Sequence, residues 1–263
     1  MMRKPLNLDQ VQRVGIAAAY KGAEVLESFF GRISRIDKKG AIDLVTEADT
    51  GAEKRIIQTI RNTFPDHSIL AEESGLTGKR SDCRWIVDPL DGTTNFAHRL
   101  DVFANSIAFA IDGEIALGIV LIPAAGELFA ATRGRGATLN GRPIRVSSIS
   151  EVGESLLVTG FPYNFKELLE PIMARFTRCL SAAQGVRRLG SAAIDLCYLA
   201  CGRFEAFWEE HLAPWDTAAG FLIAKEAGAT VTDFGDQPFT VDKQEILATN
   251  GLIHKEMLDI LAG

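Results

Sequence analysis

"WIVDPLDGTTNF", residues 85–96, decides how the rest of the chain is read. An apolar run, Trp85-Ile86-Val87, ends in an acid, Asp88. After Pro89 and Leu90 a second acid, Asp91, leads into Gly92-Thr93-Thr94. A buried strand that delivers two carboxylates to one end is costly unless a cation meets them. Pro89 and Gly92 shape the connection so that both aspartates and the Leu90 carbonyl can face one point. On its own, Asp-Pro-x-Asp-Gly also reads as a β-turn, because all three residue types form turns.

The flanking segments place this stretch in a sheet. Ser68–Ala71 reads as a strand that runs into Glu72-Glu73. Phe103–Ile111 and Glu114–Ile122 are strands joined by Asp112-Gly113, a two-residue hairpin signal. Glu127–Thr132 and Ala137–Leu139 continue the sheet, and Asn140-Gly141 marks another turn. Upstream, residues 8–30 have helical apolar spacing, followed by a polar, Gly-containing stretch over 31–41. Thr46-Glu47-Ala48-Asp49 resembles a capping box opening a second helix, which Pro65-Asp66 stops.

Beyond about residue 150 the pattern alternates. Strands are expected at Ser155–Thr159, Phe204–Trp208 and Glu245–Ala248. Helices are expected at Phe165–Leu180, Ser191–Ala200, Asp216–Ala227 and Ile253–Leu261. Hairpins first and β/α alternation later imply stacked sheets separated by helix layers.

Composition narrows the function. The chain has 263 residues, 47% hydrophobic and 24% charged, enough apolar material for a sizeable core. Its formal net charge of −6 argues against a nucleic-acid binder that works by neutralising phosphates. No stretch approaches the roughly 20 apolar residues of a membrane span. No signal-peptide core opens the chain, so a cytoplasmic protein with reduced thiols is expected. Cys197 and Cys201 stand four apart in an apolar helical pattern and read as small buried hydrophobes, with a zinc or redox pair as the alternative. His67, His98, His211 and His254 lack metal-ligand spacing and read as surface or loop residues.

Acids recur at element edges. Glu72 and Asp88 end strands, Asp91 lies in the following turn, and Asp216 follows Pro214-Trp215 where a helix starts. Carboxylates and a carbonyl are the donors that a hard divalent cation such as Mg²⁺ takes. Each acid alone has a plain alternative: Asp216 and Asp49 as helix-cap residues, Glu72-Glu73 as a solvated strand end.

Together with "DLVTEAD" (43–49), "AEES" (71–74), "LGSAAIDLCYLACGRFEAFWE" (189–209) and "PWDTAAG" (214–220), residues 85–96 resemble the inositol monophosphatase family of Mg²⁺-dependent phosphatases. The resemblance runs from about Val14 to about Ile260, with the motifs in the family's order. It implies an α/β protein, a layered αβαβα sandwich. An N-terminal α+β half (1–150) would carry most metal ligands, and a C-terminal α/β half (151–263) would carry substrate residues and Asp216.

The resemblance also implies roles. Glu72, Asp88 and the Leu90 carbonyl would hold one Mg²⁺. Asp88, Asp91 and Asp216 would hold a second, with a third, weaker ion near Glu72. The Thr93 hydroxyl, oriented by Asp49, would bind the attacking water, and Lys38 would lie nearby, with a solvated loop lysine as its alternative. The Gly92-Thr93 turn offers N–H groups to a phosphate oxygen. Asp91, Gly190, Ser191, Ala192 and Glu209 would hold the substrate. Glu209 is preferred to Glu210 by its distance to Trp215, and a carboxylate suits neighbouring hydroxyls.

Paired divalent ions can supply nucleophile, charge neutralisation and leaving-group stabilisation for phosphate-monoester hydrolysis. The turn "DGTTNF" has the inositol monophosphatase form, whereas "HLAPWD" is closer to bacterial members. The expected reaction is hydrolysis of myo-inositol monophosphate by a lithium-sensitive homodimer. The alternatives are fructose 1,6-bisphosphate or another sugar phosphate as substrate, or a non-catalytic regulatory binding protein on the same fold. No membrane or nucleic-acid partner is expected.

Overall fold

The computed structural model describes residues 6–32, 36–38, 44–79, 81–162 and 165–263, with backbone alone at 36–38 and 44–46. The N-terminal elements are α1 (Leu8–Phe29), β1 (Ile36–Lys38), β2 (Leu44–Thr46), α2 (Glu47–Thr63), β3 (Ser68–Ala71), β4 (Gly75–Thr77), β5 (Cys83–Asp91) and α3 (Thr93–Ala97). Then come β6 (Ala104–Ile111), β7 (Glu114–Ile122), β8 (Glu127–Thr132), β9 (Ala137–Leu139) and β10 (Arg142–Pro143). The rest is β11 (Leu156–Thr159), α4 (Leu169–Ala182), β12 (Gly185–Arg187), α5 (Ala192–Ala200), β13 (Ala206–Glu210), α6 (Pro214–Glu226), β14 (Thr230–Thr232), β15 (Glu245–Thr249) and α7 (His254–Ala262).

An eight-stranded sheet runs β10-β9-β8-β7-β6-β5-β3-β4, and a five-stranded sheet runs β12-β11-β13-β15-β14. Three apolar clusters set the layers. Val11, Ala18, Ile56 and Ile60 of α1 and α2 pack on Ile69, Trp85, Ile107 and Ile119 of the large sheet. Its other face meets α5 and α6, which in turn cover Val158, Phe207 and Ile246 of the small sheet. Beyond the small sheet, Cys179 of α4 and Met257 and Leu261 of α7 close a third cluster. The order is therefore helix, sheet, helix, sheet, helix, the expected αβαβα sandwich. Each sheet buries both faces, which explains the near-continuous apolar runs of β6 and β7.

The hairpin turn fits its sequence. Ile111 pairs with Glu114, and Asp112 and Gly113 both have positive φ, as a type I′ turn requires. Several boundaries differ from expectation. β5 does not end at Asp88 but runs to Asp91, with its register to β6 shifting between those two residues. β3 pairs with β5 only as far as Val87, so Pro89 falls where no ladder N–H is needed on that side. The Gly-Thr-Thr turn opens the short helix α3. α4 begins at Leu169 rather than Phe165, because Phe165–Leu168 form turns; Pro171 then sits in the helix's first turn, where it is tolerated. β13 lies two residues later than expected.

Of the histidines, His254 departs from the surface-or-loop reading, whereas His67 keeps to the loop between α2 and β3 but is half-buried. His254 is buried between the Thr232 and Thr249 hydroxyls, at 3.1 and 2.9 Å. His67 stacks on Phe64, with ring centroids 4.6 Å apart, and accepts the Trp85 Nε1 hydrogen bond at 3.2 Å.

Candidate functional site

β5 brings its acids out at the edge where β3 has stopped. Asp88 is 2% exposed, and its Oδ1 accepts the Leu90 N–H at 3.0 Å. Thr93 Oγ1 donates to the Leu90 carbonyl at 2.9 Å, which closes the turn from inside. Gly92, with φ +96, carries the chain from strand into α3; a Cβ there would lie 2.8 Å from the Val102 carbonyl oxygen. Leu90, Phe96 and Phe103 pack with Leu26, Ala48 and Ala52 beneath this turn and anchor it to α1 and α2.

Asp91 ties the two sheets' elements together. Its Oδ2 accepts from Ser191 Oγ at 2.6 Å and from the Ala193 N–H at 2.7 Å, at the start of α5. Ser191 is also the N-cap of α5, accepting from the Ile194 N–H. Its hydroxyl is thus already committed to Asp91. Asn95, which the sequence reading passed over, donates to Val102 O and Leu189 O, both at 2.8 Å. It staples α3 to the segment that leads into Gly190-Ser191-Ala192.

Asp216 is not the N-cap of α6. Ala213 holds that position, and Asp216 Oδ2 reaches back to the Ala213 N–H at 2.7 Å. α6 itself lies close against β7, because Gly118 has no side chain: a Cβ there would stand 2.5 Å from the Ala219 carbonyl oxygen. On the opposite flank, Asp49 and Glu53 sit one turn apart on α2, both buried. Glu53, also missed from sequence, accepts the N–H groups of Glu73 and Ser74 and fixes the turn after β3. Asp49, Glu72 and Glu73 then offer carboxylate oxygens within 4.8 Å of one another. Lys38 falls in β1, but its side chain lies outside the described residues, as does that of Thr46.

Electrostatics describe one coupled group. Burial pushes Asp88 well above the usual carboxylate range, and Glu72, Asp91, Asp216 and Asp49 push it further. Burial and then Asp91 raise Asp216 to about 8, against the Ala213 hydrogen bond. Asp91 rises only to about 6: burial lifts it, while the Ser191 and backbone hydrogen bonds and Arg188 hold it down. Among the described residues no lysine or arginine forms an ion pair with Asp88, Asp91 or Asp216. Buried Asp88 and half-buried Asp91 and Asp216, with no ion-paired cation among the described residues, form an all-oxygen donor set that fits a hard divalent ion such as Mg²⁺.

A cleft of about 200 Å³ opens beside these acids. Asp91, Gly92, Thr93, Gly190, Ser191, Ala192, Glu209 and Asp216 all line it. Glu209 leaves β13 into this cleft, whereas the next side chain, Glu210, pairs with Arg175 at 2.9 Å. The Glu209 carboxylate occupies the space over Gly160, where a Cβ would come within 2.0 Å of it. Burial raises Glu209 to about 8, with Asp216 and Asp91 adding and Arg188 opposing. Gly160 and Arg188 were not legible beforehand. Neither was Asp195, wholly buried on α5 with no hydrogen bond to either oxygen among the described residues.

The sequence profile of the inositol monophosphatase family matches residues 7–262. An inositol-1-monophosphatase of Synechocystis is 48% identical over 244 residues, covering 92% of this chain and 84% of its own. A Nus factor SuhB of Pseudomonas aeruginosa is 40% identical over 255 residues, covering 93% of each. The structure of an inositol monophosphatase from Anabaena superposes with a TM-score of 0.89 at 40% identity, covering 98% of this chain and 97% of the other. With the layered fold and the strand-end acids in place, these likenesses make the chain a member of the inositol monophosphatase family.

Proposed function

We propose that the protein hydrolyses phosphate monoesters of a polyol or sugar, with myo-inositol monophosphate as the leading substrate, in a Mg²⁺-dependent reaction. The observation that carries this is the trio of buried Asp88 and half-buried Asp91 and Asp216, without an ion-paired cation among the described residues, beside a cleft that Asp91, Asp216, Glu209 and the start of α5 line. Glu72, Asp88, the Leu90 carbonyl, Asp91 and Asp216 would hold two Mg²⁺ ions, with a weaker one toward Asp49, Glu72 and Glu73. Bound there, paired divalent ions supply charge neutralisation on the phosphoryl oxygens and acidify water.

The chain's own groups do the rest. Thr93, whose hydroxyl proton goes to the Leu90 carbonyl and closes this turn, offers a lone pair to the attacking water; for Asp49 to orient that hydroxyl, its proton must leave the Leu90 carbonyl. The Gly92 and Thr93 N–H groups take a phosphate oxygen. Asp91, through its hold on Ser191 and Ala193, fixes the Gly190-Ser191-Ala192 turn against which the polyol rests. Glu209, confined over Gly160, accepts from substrate hydroxyls. Fixing these groups before substrate arrives is what makes their contacts effective in the transition state.

Phosphate release from inositol 1-phosphate, fructose 1,6-bisphosphate and glycerol 2-phosphate, with and without Mg²⁺, tests this reading. Mg²⁺-dependent release is expected, fastest on the inositol ester; no release from any ester sinks it. The likeness to a Nus factor keeps a binding role as the second reading, which that negative result would favour.

A further inference from the structure

Three acids line the cleft. Asp91 and Asp216 come from β5 and α6, and Glu209 comes from β13. Among the described residues lining the cleft, the one permanent cation is Arg188, in the turn between β12 and α5. Its neighbours of like charge are committed: Arg187 donates to the Val186 carbonyl, and Arg175 pairs with Glu210. Arg188 is exposed, and no hydrogen bond or ion pair joins it to any described residue.

The guanidinium is nevertheless placed. It stands over the Phe161 ring at 5.7 Å from the centroid. Its Nη1 lies 2.5 Å from where a Cβ on Gly190 would be, so it crosses the residue that opens the substrate-facing turn. It lines the same cleft as Asp91 and Glu209. A planar fork with open donors, set on an aromatic ring, matches phosphate or carboxylate oxygens. On the phosphatase reading, the cleaved phosphate would sit beside Asp88, Asp91 and Asp216. Arg188 lies beside Gly190, next to Phe161.

We propose that Arg188 is a specificity-determining residue that binds a second anionic group on the substrate, a phosphate or carboxylate several atoms from the ester that is cleaved. This rests on the phosphatase reading above. The substrate class widens accordingly, from polyol monophosphates to sugar or polyol phosphates with a second negative charge.

The test compares wild type, Arg188→Gln and Arg188→Lys on fructose 1,6-bisphosphate and on glycerol 2-phosphate, which has no second anion. Arg188→Gln should lower kcat/KM about 10- to 100-fold further on the bisphosphate than on glycerol 2-phosphate, mainly through KM. Arg188→Lys should recover part of that difference, keeping the charge without the fork. Equal losses on both substrates would put the guanidinium on the cleaved phosphate or in the scaffold. No loss on either would make it a solvated rim residue; both results overturn the proposal. If wild type hydrolyses neither ester, the phosphatase reading falls. Calorimetric binding of fructose 1,6-bisphosphate to the protein with Mg²⁺ then decides Arg188 by itself. Binding weakened about tenfold in Arg188→Gln supports the assignment, and equal binding rejects it.

Discussion

Glu209 and Glu210 are adjacent on β13, and strand alternation sends them to opposite faces. Glu210 reaches Arg175, and Glu209 enters the cleft over Gly160. Spacing from Trp215 was enough to favour Glu209 in the sequence. Nothing local marked Gly160, because its role exists only once β11 and β13 lie side by side. Arg188 was hidden for a similar reason: a basic pair reads as solvated until the cleft around it is known. Glu209→Gln should raise KM for inositol 1-phosphate more than for glycerol 2-phosphate; equal changes would make Glu209 scaffold.

The same substitution tests the raised proton affinity of Glu209. An acid held at about 8 when folded binds its proton more tightly than in the unfolded chain, where it titrates near 4.5. Its stabilising share is complete below the unfolded value and is lost as pH rises through about 8. Without metal, Tm should fall between pH 5 and pH 8, and less steeply in Glu209→Gln. Parallel slopes for the two proteins would refute the assignment. At Thr93 and Asp49 the expectation is kinetic. Thr93→Ala and Asp49→Asn should each lower kcat about 10²–10⁴-fold with a much smaller change in KM. The double variant should be scarcely worse, because the two groups act as a unit. Losses that multiply in the double variant would separate the pair.

At the scale of elements, the long apolar runs and the Asp112-Gly113 and Asn140-Gly141 turns were legible because period and turn chemistry agree. β4, β10, β12 and β14 were not, since two or three residues are too few to show a period. β5 was read too short: its acids looked like a strand end, yet β6 continues to pair it past a register shift to Asp91. The position of α6 was invisible beforehand, because it depends on contact between distant backbones at Gly118 and Ala219. Gly118→Ala should force α6 outward and carry Asp216 with it. A destabilisation of about 1–3 kcal/mol is expected from overpacking, together with a higher Mg²⁺ requirement for activity. Lost stability with an unchanged Mg²⁺ requirement would show that α6 adjusts without moving Asp216.

For the whole molecule, the candidate metal site joins parts that are far apart in sequence: β5 in the large sheet and α6 in the central helix layer, with α5 braced to Asp91. Concentrating buried acids there is costly for the metal-free protein, since Asp91 and Asp216 must stay protonated or repel one another. Their affinities, raised to about 6 and about 8, mean that Mg²⁺ competes with protons for the same oxygens. Both acids titrate above their unfolded values, so the metal-free fold weakens as pH rises through that window. Mg²⁺ binds the folded chain and should reverse the loss, by about 2.7 kcal/mol at a hundred times its Kd. The Mg²⁺-induced rise in Tm should therefore be larger at pH 8 than at pH 6. Asp88→Asn separates the two effects, because it removes one buried charge and keeps the shape. It should raise the metal-free Tm at pH 8, abolish most of the Mg²⁺ response, and eliminate phosphate release. Melting curves in chelator and in Mg²⁺ at both pH values would check all three expectations. A Mg²⁺ response in Asp88→Asn as large as in wild type would place the bound ion elsewhere, leaving buried Asp88 and its half-buried neighbours without the cation that their crowding demands.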